Sequence, residues 1–181
     1  MSIFSDIVDA VTPSESQEDR ATARSEARKV ARPGDWLSLI LDHHVQLETA
    51  FAAVKSASDA ASRKAAQKQL GVLLTGHAIA EESVIYPAMA ETGEKRQASH
   101  GYTEQATVKM EMSELEKLAP MSQDYLDKLE EVRAAVAHHM YEEESTWFPA
   151  LKESAGASDA LLTQRYTEEF DRYVGKGAMS F

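Results

Sequence analysis

Two stretches of the chain set the same residue types at the same intervals. His77-Ala78-Ile79-Ala80-Glu81-Glu82-Ser83-Val84-Ile85-Tyr86-Pro87 is one, and His139-Met140-Tyr141-Glu142-Glu143-Glu144-Ser145-Thr146-Trp147-Phe148-Pro149 is the other. Each places Glu four residues after His, Ser six after it, an aromatic nine after it and Pro ten after it. Positions i and i+4 share a helix face, so each copy aims an imidazole and a carboxylate the same way. Two such helices facing each other offer nitrogen and oxygen donors to the space between them, the outline of a metal site. The chain has no Cys, which removes disulfides and thiolate ligation. Imidazole and carboxylate donors suit iron, manganese or zinc rather than copper(I) or an iron–sulfur cluster.

The elements that must hold these residues are helices. Only eight Gly and five Pro occur in 181 residues, too few for a turn-rich β-fold. Asp35 is a natural N-cap for a first long helix reaching about Lys55, with Leu37, Ile40, His44, Leu47, Phe51 and Val54 on one face. A second spans about 58–90, with Leu70, Leu74, His77, Glu81, Val84 and Ala88 in phase. Gly71 and Gly76 weaken that helix and predict close approach of a neighbour. The third, about 94–118 after Gly93, carries Leu115, Met112 and Val108, then Glu104 and His100 in steps of four. The fourth, about 122–153, carries Leu129, Val132, Val136, His139, Glu143, Trp147 and Ala150. Pro87 and Pro149 predict either a kink eased by the hydroxyls of Ser83 and Ser145, or the end of each helix.

The fold these elements predict is all-α: an antiparallel up-down-up-down four-helix bundle with short extra helices at the N- and C-termini. The bundle occupies 35–154. Residues 1–34 form an N-terminal amphipathic segment, apolar over 1–12, followed by a polar linker or exposed helix. Residues 155–181 form a C-terminal helix and tail, with Leu162, Tyr166, Phe170 and Tyr173 as a flap over the bundle.

The stripes choose the inward-facing ligands. His44 and His139 lie in phase with apolar residues, whereas His43 and His138 are each turned about 100° away. His77, Glu81, Glu143, His100 and Glu104 complete the inward set. Glu82, Glu142 and Glu144 read as a solvated acidic face. Buried unpaired carboxylates are expensive, so three at one depth call for a cation.

The pattern of His on the first helix, His-x3-Glu on the second, polar residues on the third and His-x3-Glu on the fourth resembles the hemerythrin-like (HHE cation-binding domain) family over about residues 35–154. The resemblance implies two iron ions, bridged by carboxylates and an oxo or hydroxo group, in a four-helix bundle. Carried over by position, His44, His77, His139, Glu81 and Glu143 match the family's metal ligands, with Glu81 and Glu143 as the bridges, and His100 and Glu104 stand as the metal ligands of the third helix. The third helix departs from the family's His pair, since its i, i+4 residues are His100 and Glu104; Gln105 is a weaker substitute. A carboxylate in place of an imidazole favours the ferric state and makes manganese in one site easier to accept.

The function this implies is binding of oxygen, peroxide or nitric oxide for sensing, storage or oxidative-stress protection. An alternative is a di-iron oxidase with ferroxidase or catalase/peroxidase-like activity, so enzyme status stays open. A third is a metal-dependent scaffold whose terminal segments dock partners. The formal charge of −11 argues against nucleic acid as a partner. No stretch approaches the ~20 apolar residues of a membrane span, and the N-terminus lacks a secretory pattern. A cytoplasmic location is the expectation, and no sequence feature sets an oligomeric state.

Overall fold

Ser16, Asp35, Asp59 and Ser122 each stand just before a helix and accept hydrogen bonds from backbone N–H groups of its first turn. Such caps are worth about 1 kcal/mol each and fix where the helices begin. A computed structural model describes residues 15–175, and within them the chain is all-helical, with no strand. The helices are α1 (Gln17–Val30), α2 (Trp36–Ser56), α3 (Ala60–Ala80), α4 (Tyr86–Glu91), α5 (Lys95–Lys117), α6 (Gln123–Glu142), α7 (Phe148–Ala155) and α8 (Asp159–Val174). The apolar segment expected over 1–12 lies outside the described residues.

Two π turns, Glu81–Ile85 and Glu143–Trp147, join α3 to α4 and α6 to α7. They resolve the two expectations for the prolines. Neither helix ends, and the serine hydroxyls are not the principal relief. Instead each ladder widens by one residue: Tyr86 N–H donates to Glu81 O, and Phe148 N–H donates to Glu143 O. Each Pro then sits in the first turn of the following α-segment, where its missing donor is not needed. Both π turns begin on a Glu of the repeated motif.

Four helical rods, α2, α3–α4, α5 and α6–α7, pack around a core that includes Leu37, Leu47, Leu70, Ile85, Leu115 and Val132, compatible with a four-helix bundle. The residues expected as a linker or exposed helix form α1, which packs Ala23 and Ala27 against α2 and the second π turn. The C-terminal helix α8 lies on α2 and α3 through Leu162, Tyr166, Phe170 and Val174; Tyr173 is half-exposed rather than part of this face. Gly76 permits that contact, because a Cβ there would stand 2.5 Å from Val174 Cγ2. Gly71 does not serve the close approach expected of it, since its Cβ would meet nothing within 4 Å.

The buried face of α5 is Ala98, Gly101, Gln105, Val108, Met112 and Leu115, not the line through Glu104 and His100. Each step of four residues advances 400°, so two successive steps back from Val108 drift about 80° off the face. The true stripe alternates threes and fours.

Candidate metal centre

The repeated Glu residues open the π turns and point into the core. Glu81 and Glu143 are completely buried, as is His44 from α2. His77 from α3 and His139 from α6 are also buried. Donor atoms of His44, His77, Glu81 and Glu143 all lie within 4.8 Å of one another. His77 Nε2 is 3.3 Å from Glu81 Oε1, and His44 Nε2 is 3.4 Å from Glu143 Oε2 and 4.0 Å from Glu81 Oε1. Glu143 reaches the other way through its second oxygen, with Oε1 3.2 Å from His139 Nε2.

His44 Nε2, His77 Nε2, Glu81 Oε1 and Glu143 Oε2 have no hydrogen-bond partner among the described residues. Burial of such atoms without a partner costs several kcal/mol per charged group. Convergent, buried and unpartnered nitrogen and carboxylate oxygen atoms are what a divalent or trivalent cation satisfies. The donor set therefore fits a metal ion.

The outer nitrogens of the three histidines strengthen this fit. His44 Nδ1 lies 2.7 Å from Glu144 Oε1, and His139 Nδ1 lies 2.8 Å from Glu104 Oε2. A carboxylate only accepts, so both rings carry the proton on Nδ1 and direct Nε2 inward. His77 Nδ1 lies 3.2 Å from Tyr166 Oη, which is 2.8 Å from His43 Nδ1. If His77 donates to Tyr166, the phenol proton goes on to His43, and His77 Nε2 is left free to face the centre. Burial pushes the His43 imidazole down to about 4, so it stays neutral and can accept that proton's hydrogen bond.

Several expected placements change. His43 is not turned to solvent; α8 covers it, and its ring stacks on Phe170 at 3.8 Å. Glu144 is not on a solvated face but is buried between His44 and Arg24, whose Nε is 2.8 Å from its Oε1. Glu104, half-buried, meets the outer nitrogen of His139 rather than the unpartnered cluster. His100 is half-exposed, 3.4 Å from both Glu104 Oε1 and Glu142 Oε2, and lies apart from the buried group. His138 reaches Glu15 at 2.9 Å.

Where α5 faces the centre it offers Gly101 and Gln105, and Tyr86 fills the space between. A Cβ on Gly101 would stand 2.8 Å from Tyr86 Cζ. The phenol oxygen lies 2.9 Å from Glu143 Oε1 and 3.0 Å from His139 Nε2. Gln105 Nε2 donates to Tyr86 Oη at 2.7 Å and to Glu81 Oε2 at 2.6 Å. Tyr86 was missed because the repeat fixes only an aromatic at its tenth position. The signal was present: the first copy has Tyr where the second has Phe148.

The electrostatics are those of a cation site holding protons. Burial alone would lower His44, but Glu143 and Glu144 raise it to about 9. Burial likewise opposes charge on His139, and Glu143 with Glu104 lifts it well above its ordinary value. Glu143 is driven far below the carboxylate range, its burial outweighed by His139 and His44. Burial and the neighbouring Glu143 charge push Glu81 well up. Burial and Glu143 also raise the Tyr86 phenol.

A cleft of about 540 Å³ between α3 and α5, floored by α2 and α6, has His77, Gln105 and His139 among its lining residues.

A family profile described as "Hemerythrin HHE cation binding domain" matches residues 36–151. Over 97 residues the chain is 28% identical to a protein of Nostoc sp. (strain PCC 7120 / SAG 25.82 / UTEX 2576) named DNA nickase. That stretch is 54% of this chain but covers only 27% of the relative's length. No solved structure matches the chain.

Proposed function

This chain belongs to the hemerythrin HHE cation-binding domain family, and on that premise we propose that it is a non-haem di-iron protein that binds oxygen, peroxide or nitric oxide for sensing, storage or oxidative-stress protection. Its helices form an antiparallel up-down-up-down bundle, and manganese can replace iron in one position. The observation that carries the reading is Glu143, whose two oxygens face different histidines, His44 at 3.4 Å and His139 at 3.2 Å. His44, His77, Glu81 and Glu143 would hold one ion. His139, Glu143 and the Tyr86 oxygen would hold the second, beside Glu81, whose Oε2 accepts from Gln105 Nε2.

Iron bound there would supply redox electrons and open positions for a small ligand. The chain's own residues orient, insulate and move protons. Glu144, Glu104 and Tyr166 fix the imidazoles so that Nε2 faces inward. Gln105 holds Tyr86 and Glu81 in place, its Nε2 donating one hydrogen to each. Tyr86 takes the part assigned on sequence grounds to His100 and Glu104. An anionic oxygen donor stabilises the ferric state relative to imidazole, which favours sensing or removal of oxidants over reversible carriage. The same feature supports the alternative, a di-iron oxidase with ferroxidase or catalase/peroxidase-like activity.

The nickase name belongs to the relative, most of which lies outside the matched stretch. The net charge of −11 opposes a phosphate backbone, so small ligands rather than nucleic acid are the proposed partners.

Rapid mixing of ferrous-loaded protein with oxygen or peroxide tests the reading. A spectral change within seconds is the expected result, and peroxide consumed catalytically over repeated additions is the outcome that would mark the oxidase alternative. Oxidation no faster than that of free ferrous iron would overturn it.

A further inference from the structure

The cleft above the metal centre is larger than a two-atom ligand requires. Its volume of about 540 Å³ falls within the ~300–1,000 Å³ that accommodate drug-sized molecules. Its walls are mostly apolar, with Leu74, Val108, Met112, Val136 and Met140 buried along them. Its mouth is cationic in a chain of net charge −11: Lys64, Lys68 and Lys109 line it against a single acid, Glu116. Lys109 is engaged by Glu82 at 2.6 Å, whereas Lys64 and Lys68, one helical turn apart on α3, are exposed and form no ion pair among the described residues.

Two further observations concern the interior. Gln67 and Gln105 line the cleft and are more than nine-tenths buried, and each has one amide atom, Gln67 Nε2 and Gln105 Oε1, without a partner among the described residues. Gly71 lies on the α3 wall, although glycine inside a helix is unfavourable relative to alanine. No neighbour lies within 4 Å of the position its Cβ would take, so packing does not demand glycine; what its missing side chain provides is width.

We propose that this cleft binds an amphipathic monocarboxylate, an aliphatic or aromatic body with one anionic head. The apolar body lies between α3 and α5, and the carboxylate sits at Lys64 and Lys68. Apolar burial supplies most of the affinity, and the two unpaired ammonium groups select the sign of the head. An occupant would cover the approach to His77 and His139. The inference stands on the cleft alone and does not require the ions.

Calorimetric titration of the full chain with decanoate, below its micelle concentration, tests this in metal-free and metal-loaded protein. One saturable site per chain is expected in both forms, with decyltrimethylammonium binding at least about tenfold more weakly. The double substitution K64E/K68E is expected to weaken decanoate by about tenfold or more, and Gly71→Phe to abolish binding. Both variants should keep the helical circular dichroism and the iron content of the parent. Absence of decanoate binding would overturn the proposal, as would equal affinity for the cationic detergent or equal affinity in K64E/K68E. Binding confined to the metal-loaded form and indifferent to the lysines would put the carboxylate on the ions and also overturn it. Iron content, measured separately, reports whether the metal reading itself has failed.

Discussion

At the scale of single residues, the centre is a set of inward-facing nitrogens and carboxylate oxygens, each steered by something behind it. Glu144 and Glu104 reach the centre through the outer nitrogens of His44 and His139, and on their other side meet Arg24 and His100. Removing such a partner typically costs 10- to 100-fold in metal affinity. Glu144→Gln and Glu104→Gln should therefore retain the fold and bind iron about 10- to 100-fold more weakly, measured by competition with a chelator; unchanged affinity would mean the rings are held by packing alone. Tyr86 makes a sharper prediction. If its oxygen binds iron, the ferric protein absorbs in the visible through phenolate-to-iron charge transfer. Tyr86→Phe should lose that band while keeping most of its iron; a band that persists would remove Tyr86 from the ligand set. His44, His77, His139, Glu81 and Glu143 were legible because they interrupt apolar stripes in phase. Tyr86 was not, because nothing in a stripe distinguishes a core aromatic from one whose hydroxyl reaches a polar centre. Its counterpart Phe148 is such a core residue, with its ring edge-on to Trp36 at 5.8 Å.

At the scale of elements, apolar periodicity places the helices more closely than it places their faces. Four long helices follow from apolar periodicity and capping residues, and these were read within a few residues of their ends. On the third helix the polar residues in steps of four predict a face one position out of register with the buried one. Steps of four drift around the helix, and the polar residues that should have marked its face, His100 and Glu104, lie beside the true inward pair Gly101 and Gln105. The π turns were illegible in kind, though Pro87 and Pro149 marked their place: a Pro requires relief of its i−4 carbonyl without saying how the ladder rearranges. The C-terminal helix was foreseen as a flap, but its Tyr166 links His43 and His77 behind the centre. Its seat depends on Gly76. A methyl group there would approach Val174 Cγ2 to 2.5 Å, and overpacking of this kind costs about 1–3 kcal/mol. Gly76→Ala should lower unfolding stability by that amount in urea titration and weaken iron binding with it; an unchanged midpoint would mean α8 shifts freely.

At the scale of the whole molecule, protons and metal ions compete for one buried site. In metal-free protein the His44 pKa stands near 9 against an ordinary value of 6.5. The folded state thus holds a proton that the unfolded chain releases earlier. Its stabilising contribution is complete below pH 6.5 and is lost as pH rises through about 9. The loss amounts to at most about 3 kcal/mol at 1.36 kcal/mol per unit. Metal-free protein should therefore lose stability between these pH values. Iron-loaded protein, whose His44 carries no Nε2 proton, should not, and iron affinity should rise across the same window. Thermal melts at pH 6.5 and 9, with and without iron, check both signs. A chain of net charge −11 that buries Glu81 and Glu143 together gains from a cation twice, by local pairing and by reduced self-repulsion.

The central claim is that two neighbouring positions, joined through Glu143, each hold an ion. Anaerobic titration with ferrous iron, counting metal retained per chain, tests it most directly. Two ions per chain are predicted for the parent and one or none for Glu143→Ala. A parent that binds fewer than two, or a Glu143→Ala variant that still binds two, would contradict it.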